Sequence, residues 1–219
     1  MTLPAALPAR DLDARARLAG IAGQVRPTVL ARDRTLVIPG PLGDVLPDGL
    51  VRGSVLVVEG DVGAGATSAA LSLCAAATAL GEWAAAVDLH GTLGGEAVAE
   101  LGVAPERFVV VRRVPPDRWA TTVSVLLDGM SVVVADVPRH VRAGDARRLV
   151  ARARERGVVL VPLIWPPGQW PATATRRLHA DGRSWPGLGI GSGLLTARPP
   201  VIRIGDADGA TRERGVLAG

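Results

Sequence analysis

The chain has 219 residues, which suits one α/β domain with a sizeable core and is too short for two such domains. Hydrophobic residues make up 48% and charged residues 21%, a balance that excludes an intrinsically disordered chain. No apolar stretch approaches the ~20 residues of a membrane helix. The net charge of +4 permits contact with nucleic acid without requiring it.

The use of arginine and cysteine bears on how single positions are interpreted. All 25 Lys+Arg positions are arginine, a pattern typical of GC-rich coding. Cys74 is the single cysteine, which excludes an internal disulfide, and we expect it to be a buried, inert thiol in a cytoplasmic protein. The first residues, MTLPAALPARDLDARAR, have no basic leader followed by an apolar run, so we expect no secretion signal.

The first elements in chain order form an N-terminal arm, residues 1–35. A helix is predicted at residues 11–24, because Leu12, Leu18, Ile21 and Val25 are spaced for one apolar face. We expect this arm to dock on the body of the protein or on another protein. A turn-rich connector follows at residues 39–41 and 46–49.

Residues 36–205 are predicted to form the core domain, in which apolar runs alternate with helix-like stretches. Val-rich runs without polar alternation indicate strands of a parallel sheet that is buried on both faces, and this order predicts a doubly wound, mainly parallel α/β sheet. The predicted strands are residues 54–59, 84–88, 108–112, 131–136 and 158–164. The predicted helices are residues 67–80, 95–101, 117–127 and 145–156.

The alternation ends after Ile164. Residues 165–192 are rich in Pro, Gly, Trp and Arg and are expected to be irregular. Residues 194–198 and 201–204, joined through Pro199 and Pro200, predict a closing hairpin. Residues 206–219 are expected to be a polar C-terminal tail.

The first predicted strand leads through a glycine-rich loop into a helix. In the P-loop pattern G-x-x-x-x-G-K-[ST], Gly60, Gly65 and Thr67 occupy the expected places, but Ala66 stands where the lysine belongs. The glycines and the helix N-terminus favour an anion nest, and Thr67 retains a hydroxyl for Mg²⁺. Because the lysine neutralises the transferred phosphate, we expect no hydrolysis and no bound cofactor, while weak binding of ATP or phosphate stays open.

Several segments resemble the RecA family from about residue 42 to residue 137. Residues 46–53 (LPDGLVRG) resemble its "GGLPxG" segment, and residues 84–90 (AAAVDLH) resemble its second strand, which ends in Asp-Ala-Glu. Asp136 matches the Walker B aspartate, and His90 stands at the position of the water-activating glutamate. The resemblance implies a RecA-like fold with a degenerate P-loop. Asp88 and Asp136 then either form hydrogen bonds at strand ends or keep the remains of a metal or phosphate site.

Among RecA-like proteins, a short and degenerate chain of this kind is similar to the ImuA family in its shortened actinobacterial form. That resemblance implies an accessory protein of the mutasome, which carries out translesion synthesis in the SOS response to DNA damage. Its implied partners are an ImuB-like inactive Y-family polymerase adaptor and an error-prone C-family polymerase. RecA and single-stranded DNA are further candidate partners, and we expect no membrane contact.

Two clusters are candidates for partner or DNA binding. Arg147 and Arg148 lie on the predicted helix at 145–156, whose basic face is either solvated or turned towards nucleic acid or an acidic partner. Arginine and tryptophan also interleave between residues 165 and 192, a composition that fits a protein interface, stacking on DNA or an irregular loop pinned to the core. The residues of this second cluster are Trp165, Trp170, Arg176, Arg177, Arg183 and Trp185. Trp83 and Trp119 are expected in the core.

Three alternative functions remain at this stage. A SulA-like cell-division inhibitor also has a RecA-like fold, without a P-loop. A regulator of RecA filaments would act through the N-terminal arm. An active DNA-dependent ATPase would need a substitute cation near the loop, for which Arg112 or Arg113 is the candidate.

Overall fold

The computed structural model describes residues 34–165, 169–181, 188–189, 192–193, 201–206 and 211–216. Side chains are described for residues 34–165, 169–181 and 202–205. The predicted helix at residues 11–24 and the strand predicted at 194–198 lie outside these residues, as do Arg183 and Trp185.

The described residues contain five α-helices and twelve strands. The helices are α1 (Pro41–Val45), α2 (Ala66–Ala79), α3 (Gly95–Glu100), α4 (Trp119–Leu126) and α5 (Ala143–Arg156). The strands are β1 (Thr35–Leu36), β2 (Leu50–Val51), β3 (Leu56–Gly60), β4 (Ala84–Asp88), β5 (Phe108–Arg112), β6 (Val132–Asp136), β7 (Val159–Ile164), β8 (Arg176–Asp181), β9 (Leu188–Gly189), β10 (Ser192–Gly193), β11 (Val201–Asp206) and β12 (Thr211–Val216).

Eight of the described strands form one sheet, in the order β12-β11-β8-β3-β7-β6-β4-β5. The strands from β8 to β5 run parallel to one another, whereas β11 is antiparallel to both β8 and β12. The predicted α/β class and its mainly parallel sheet are therefore confirmed. The glycine-rich loop follows β3, which lies inside the sheet between β7 and β8.

Helices cover this sheet on both faces. Side chains of α1, α2 and α3 pack on one face, and those of α4 and α5 pack on the other. All residues of β4, β6 and β7 are buried, as the continuous apolar runs predict for a parallel sheet between helix layers. Helix α2 is built mainly from Ala and Leu, which favour helix, and it ends where Gly81 adopts a positive φ of 75°.

The C-terminal part of the sheet differs from the prediction. Residues 176–181, expected to be irregular, form β8, which alternates the buried Leu178 and Ala180 with half-buried polar side chains. The closing hairpin consists of β11 and β12. Part of the expected tail is thus an edge strand, because Thr211–Val216 pairs through its backbone, which a polar composition does not reveal.

The core expectations are confirmed for two residues and wrong for a third. Cys74 is fully buried, and burial raises the pKa of its thiol, in keeping with an inert core position. Trp119 is 2% exposed, but Trp83 is 41% exposed and lies under the guanidinium of Arg107, 5.5 Å from the ring centroid. Trp83 precedes β4, at the edge of the sheet where the strand begins, so the helix layers leave it partly in solvent.

Among the described residues, no helix combines the length and the apolar character that crossing a membrane requires.

Candidate nucleotide site

The loop after β3 needs its glycines. Gly60 pairs with Ala180 of β8, and a Cβ placed on Gly60 would lie 2.6 Å from the Ala180 carbonyl oxygen. Gly65 precedes α2 in the left-handed region, with a φ of 94°, which glycine adopts without steric cost. The predicted strand–loop–helix is therefore present, and both of its pattern glycines have a conformational or packing reason.

Ala66, at the lysine position, is the first residue of α2 and is 5% exposed. The half-buried Thr67 follows it and lines a cavity of about 290 Å³ above the loop. The remaining lining residues are Asp61, Val62, Gly63, Gly65, Ser68, Thr92 and Trp165. These described lining residues include no basic side chain, and Asp61 adds a carboxylate. The cavity thus offers backbone amides and hydroxyls to a ligand, but no cation.

Asp136 ends β6 and is 6% exposed. Its Oδ2 accepts a hydrogen bond from the Leu89 backbone N–H at 2.9 Å, and its Oδ1 accepts a long one from the Trp165 indole N–H at 3.4 Å. Burial raises the pKa of this carboxyl group, and the two hydrogen bonds offset that effect only in part. Asp136 is therefore held by protein donors on both oxygens.

Trp165 follows β7 directly, and its ring lies against His90. The two ring centroids are 4.2 Å apart, with an angle of 55° between the planes. The residue predicted to bind a partner or DNA is thus half-buried beside the glycine loop. Trp165 lies beside the loop because it directly follows β7, which neighbours β3, and both strands end at the same edge of the sheet.

Asp88 ends β4 and fixes the following loop. Its Oδ1 accepts from the Thr92 backbone N–H at 3.0 Å, and its Oδ2 accepts from the Leu93 N–H at 3.1 Å and from Arg112 Nε at 3.0 Å. Burial acts to raise the pKa of Asp88, but these donors outweigh it and hold the pKa below its usual range. Arg112 also donates to the Leu93 carbonyl. Arg112 is therefore engaged by this loop, and neither Arg112 nor Arg113, the candidates for a substitute cation, lines the cavity above the glycine loop.

Trp170 lies in the core, although the sequence placed it among the binding residues. It is 4% exposed and packs edge-on against Trp119, with ring centroids 6.4 Å apart. The Trp119 indole N–H donates to the Asp136 backbone carbonyl at 2.8 Å. The segment after β7 thus returns Trp170 to the α4–α5 face of the sheet, where it supports the end of β6.

The arginines of the two predicted clusters lie on separate elements. Arg176 and Arg177 are half-buried on β8, where Arg177 lies 3.6 Å from the Glu59 carboxylate. Arg147 and Arg148 are exposed on α5, and Arg148 pairs with Asp145. The structure therefore brings together the glycine loop, Asp136 and Trp165, whereas the described arginines of the two clusters do not line the cavity above the loop. Binding by these arginines stays a prediction.

Within the described part of the chain, no three His, Cys, Asp or Glu side chains are grouped so as to hold a metal ion. The contacts that the sequence did not reveal join the ends of neighbouring strands, above all Leu89 to Asp136 and Arg112 to Asp88. Charged residues at neighbouring strand ends were their only sequence signal.

The fold and the loop define an α/β protein with a mainly parallel sheet and a glycine-rich strand–loop–helix that has alanine at the lysine position. Residues 44–172 match the family described as the MT3502 N-terminal domain. Since this match covers more than half of the chain, the protein belongs to that family. The matched range contains β3, the glycine loop, Asp136 and Trp165.

A relative in Mycobacterium tuberculosis (strain ATCC 25618 / H37Rv) is the uncharacterized protein Rv3395c. It is 37% identical over 116 residues, which amount to 51% of this chain and 53% of the relative. The chain thus spans about half the length of that curated relative.

Proposed function

We propose that this chain is a non-catalytic, RecA-like adaptor in DNA-damage-induced translesion synthesis and that it acts by binding other proteins. The observation that carries the proposal is the environment of Asp136. Both of its carboxylate oxygens accept hydrogen bonds from protein donors, beside a loop that has Ala66 in place of a lysine. In this proposal Asp136, which would serve a nucleotide site, instead stabilises the fold through its contacts.

The loop lacks the charge that phosphoryl transfer requires. The P-loop lysine cradles the β- and γ-phosphates and stabilises the charge that develops on them. The described lining of the 290 Å³ cavity holds no basic side chain in its place, and Asp61 opposes a polyphosphate. The backbone amides before α2 still favour an anion, so weak binding of phosphate or ATP remains compatible with the proposal.

Mg²⁺, the ion that accompanies ATP, also fits this site poorly. In P-loop proteins Mg²⁺ is held by the loop Ser/Thr and by the Walker B aspartate. Thr67 keeps its hydroxyl, but the Asp136 oxygens are engaged by Leu89 and Trp165, and burial raises the pKa of this carboxyl group. We therefore derive no catalytic step through Mg²⁺-ATP at this site.

The group that would orient the attacking water is replaced as well. His90 stands at the glutamate position of the resemblance, and its exposed ring lies against Trp165. Lysine, metal ligand and glutamate are three separate requirements for hydrolysis. Because the lysine and the glutamate are absent and Asp136 is engaged by protein donors, a binding role is favoured over a weakened enzyme.

The cellular role rests on the resemblance to the ImuA family. The proposed partners are an ImuB-like inactive Y-family adaptor and an error-prone C-family polymerase, in the cytoplasm. The test is co-purification of the tagged chain with the ImuB-like protein of the same genome, with a Glu106→Ala variant, changed at an exposed residue outside both cavities, as a surface control. Stable association is expected, and no association would contradict the proposal. Capture of the tubulin-like division protein instead would favour the SulA-like alternative.

A further inference from the structure

A second cavity, of about 570 Å³, lies beyond the carboxyl end of β6 on the α4–α5 face. Its walls are the first turns of α4 and α5, the loop at residues 138–142 and the segment around Gln169 and Pro171. We call it the arginine cavity, after Arg139 and Arg142 in its lining. Open pockets outside the carboxyl ends of parallel strands are common ligand sites in α/β proteins.

The charges of the arginine cavity are unbalanced. Arg139, His140 and Arg142 are exposed, and their side chains make no ion pair or hydrogen bond within the described part of the chain. The carboxylates in the lining both have arginine partners: Asp117 lies 3.9 Å from Arg118, and Asp145 pairs with Arg148. The charges without a partner in this cavity are therefore cationic.

Apart from Gln169, the remaining lining is apolar. Pro116, Pro138 and Pro171 contribute to it together with Val141 and Ala120. Proline and valine surfaces lose little conformational entropy when they are covered. Guanidinium groups bind carboxylates through paired, charge-assisted hydrogen bonds. The cavity thus combines guanidinium donors for carboxylates with a small apolar surface.

We propose that the arginine cavity binds a short acidic segment of a partner protein, with carboxylates on Arg139 and Arg142 and an apolar side chain against the prolines. The inference rests on the proposed adaptor function, for which it names the chemistry of one contact. It also gives a role to a loop that the candidate nucleotide site does not use.

The observations favour an acidic peptide over nucleic acid. Strands of nucleic acid need a basic groove that follows successive phosphates, together with exposed aromatic faces for stacking. Trp119 is the indole in this lining and is only 2% exposed.

The first test measures fluorescence anisotropy of three labelled probes: a peptide of alternating Glu and Leu, a matched peptide of Lys and Leu, and oligothymidine. The wild-type chain should bind the Glu/Leu peptide best. The Arg139→Glu/Arg142→Glu variant should bind it about tenfold more weakly, because charge reversal replaces attraction of the peptide carboxylates with repulsion. Arg154→Glu, which changes an exposed α5 arginine outside the lining, is the matched control and should bind as the wild type does.

The second test repeats the co-purification with the ImuB-like protein. If the wild type captures it and the double variant does not, both claims stand. If both capture it equally, the cavity inference is overturned and the adaptor proposal survives. If neither the wild type nor the control captures it while the Glu/Leu peptide still binds through the arginines, the proposed partner is wrong and the cavity chemistry holds. Preferred binding of oligothymidine, or no binding of the Glu/Leu peptide, overturns the inference.

Discussion

Replacing Asp88 with alanine removes three contacts of one buried carboxylate. The N–H groups of Thr92 and Leu93 lose their acceptor, and Arg112 loses its ion pair. Asp88 is 1% exposed, so water cannot easily replace these contacts. The loop that carries His90 then loses its anchor at the end of β4.

The contacts themselves give the size of the effect. A hydrogen bond to a charged group contributes about 1.5–3 kcal/mol, and two backbone donors depend on Asp88. The Arg112 side chain is 49% exposed, so solvent screens its ion pair to roughly 1 kcal/mol or less. We expect Asp88→Ala to lower the free energy of unfolding by about 3–5 kcal/mol, which for a domain of this size lowers the Tm by roughly 10 °C.

Urea unfolding followed by tryptophan fluorescence measures this change. Asp117→Ala is the control, because its side chain is 79% exposed and lies 3.9 Å from its partner, so a change below about 0.5 kcal/mol is expected. If Asp88→Ala stays within about 1 kcal/mol of the wild type, Asp88 does not anchor the loop and the reasoning is refuted.

Three further outcomes are expected. Gly60→Ala places a Cβ 2.6 Å from the Ala180 carbonyl oxygen and should destabilise the protein by about 3 kcal/mol in thermal unfolding. Gly63→Ala should destabilise it less, because the added Cβ meets no neighbouring atom and only the positive φ at this position disfavours alanine. Trp119→Phe removes the indole donor of the Asp136 carbonyl and should lower the free energy of unfolding in urea by about 1–3 kcal/mol, and an unchanged value would contradict a buried hydrogen bond. Burial raises the pKa of Asp136, so the contribution of this residue to stability is fully present below the unfolded pKa of about 4 and falls as pH rises through the folded pKa. The free energy of unfolding of the wild type should therefore fall relative to that of Asp136→Asn between acidic and neutral pH. Paired urea titrations of the two proteins measure this difference.

Most of the parallel sheet could be predicted, because its strands are buried on both faces and leave an unbroken apolar signal. Residues 84–88 and 108–112 form β4 and β5 with the predicted bounds, and the helix predicted at 67–80 is observed as Ala66–Ala79. Strand β8 escaped prediction because its polar residues are satisfied by charges on neighbouring strands, such as Arg177 with Glu59 and Asp181 with Arg203. Such pairs exist only once the sheet has formed.

The loop of the candidate site was predictable from its glycines, but its surroundings were not. Trp165 and Trp170 are both tryptophans after β7, yet one lies beside the glycine loop and the other lies in the core. Composition does not distinguish these positions, because tryptophan suits both exposed and buried sites. The donors to Asp136 come from β4 and β7 loops that are distant in sequence, so they follow from the topology rather than from a local pattern.

The proposal that the glycine loop, Asp136 and Trp165 form a non-catalytic site predicts that the chain does not hydrolyse ATP. Steady-state release of phosphate from ATP, measured with Mg²⁺ and in the presence of single-stranded DNA and the ImuB-like protein, tests it most directly. We predict no turnover above the background of a heat-unfolded sample, for the wild type and for Thr67→Ala alike. Turnover by the wild type that disappears in Thr67→Ala would contradict the account.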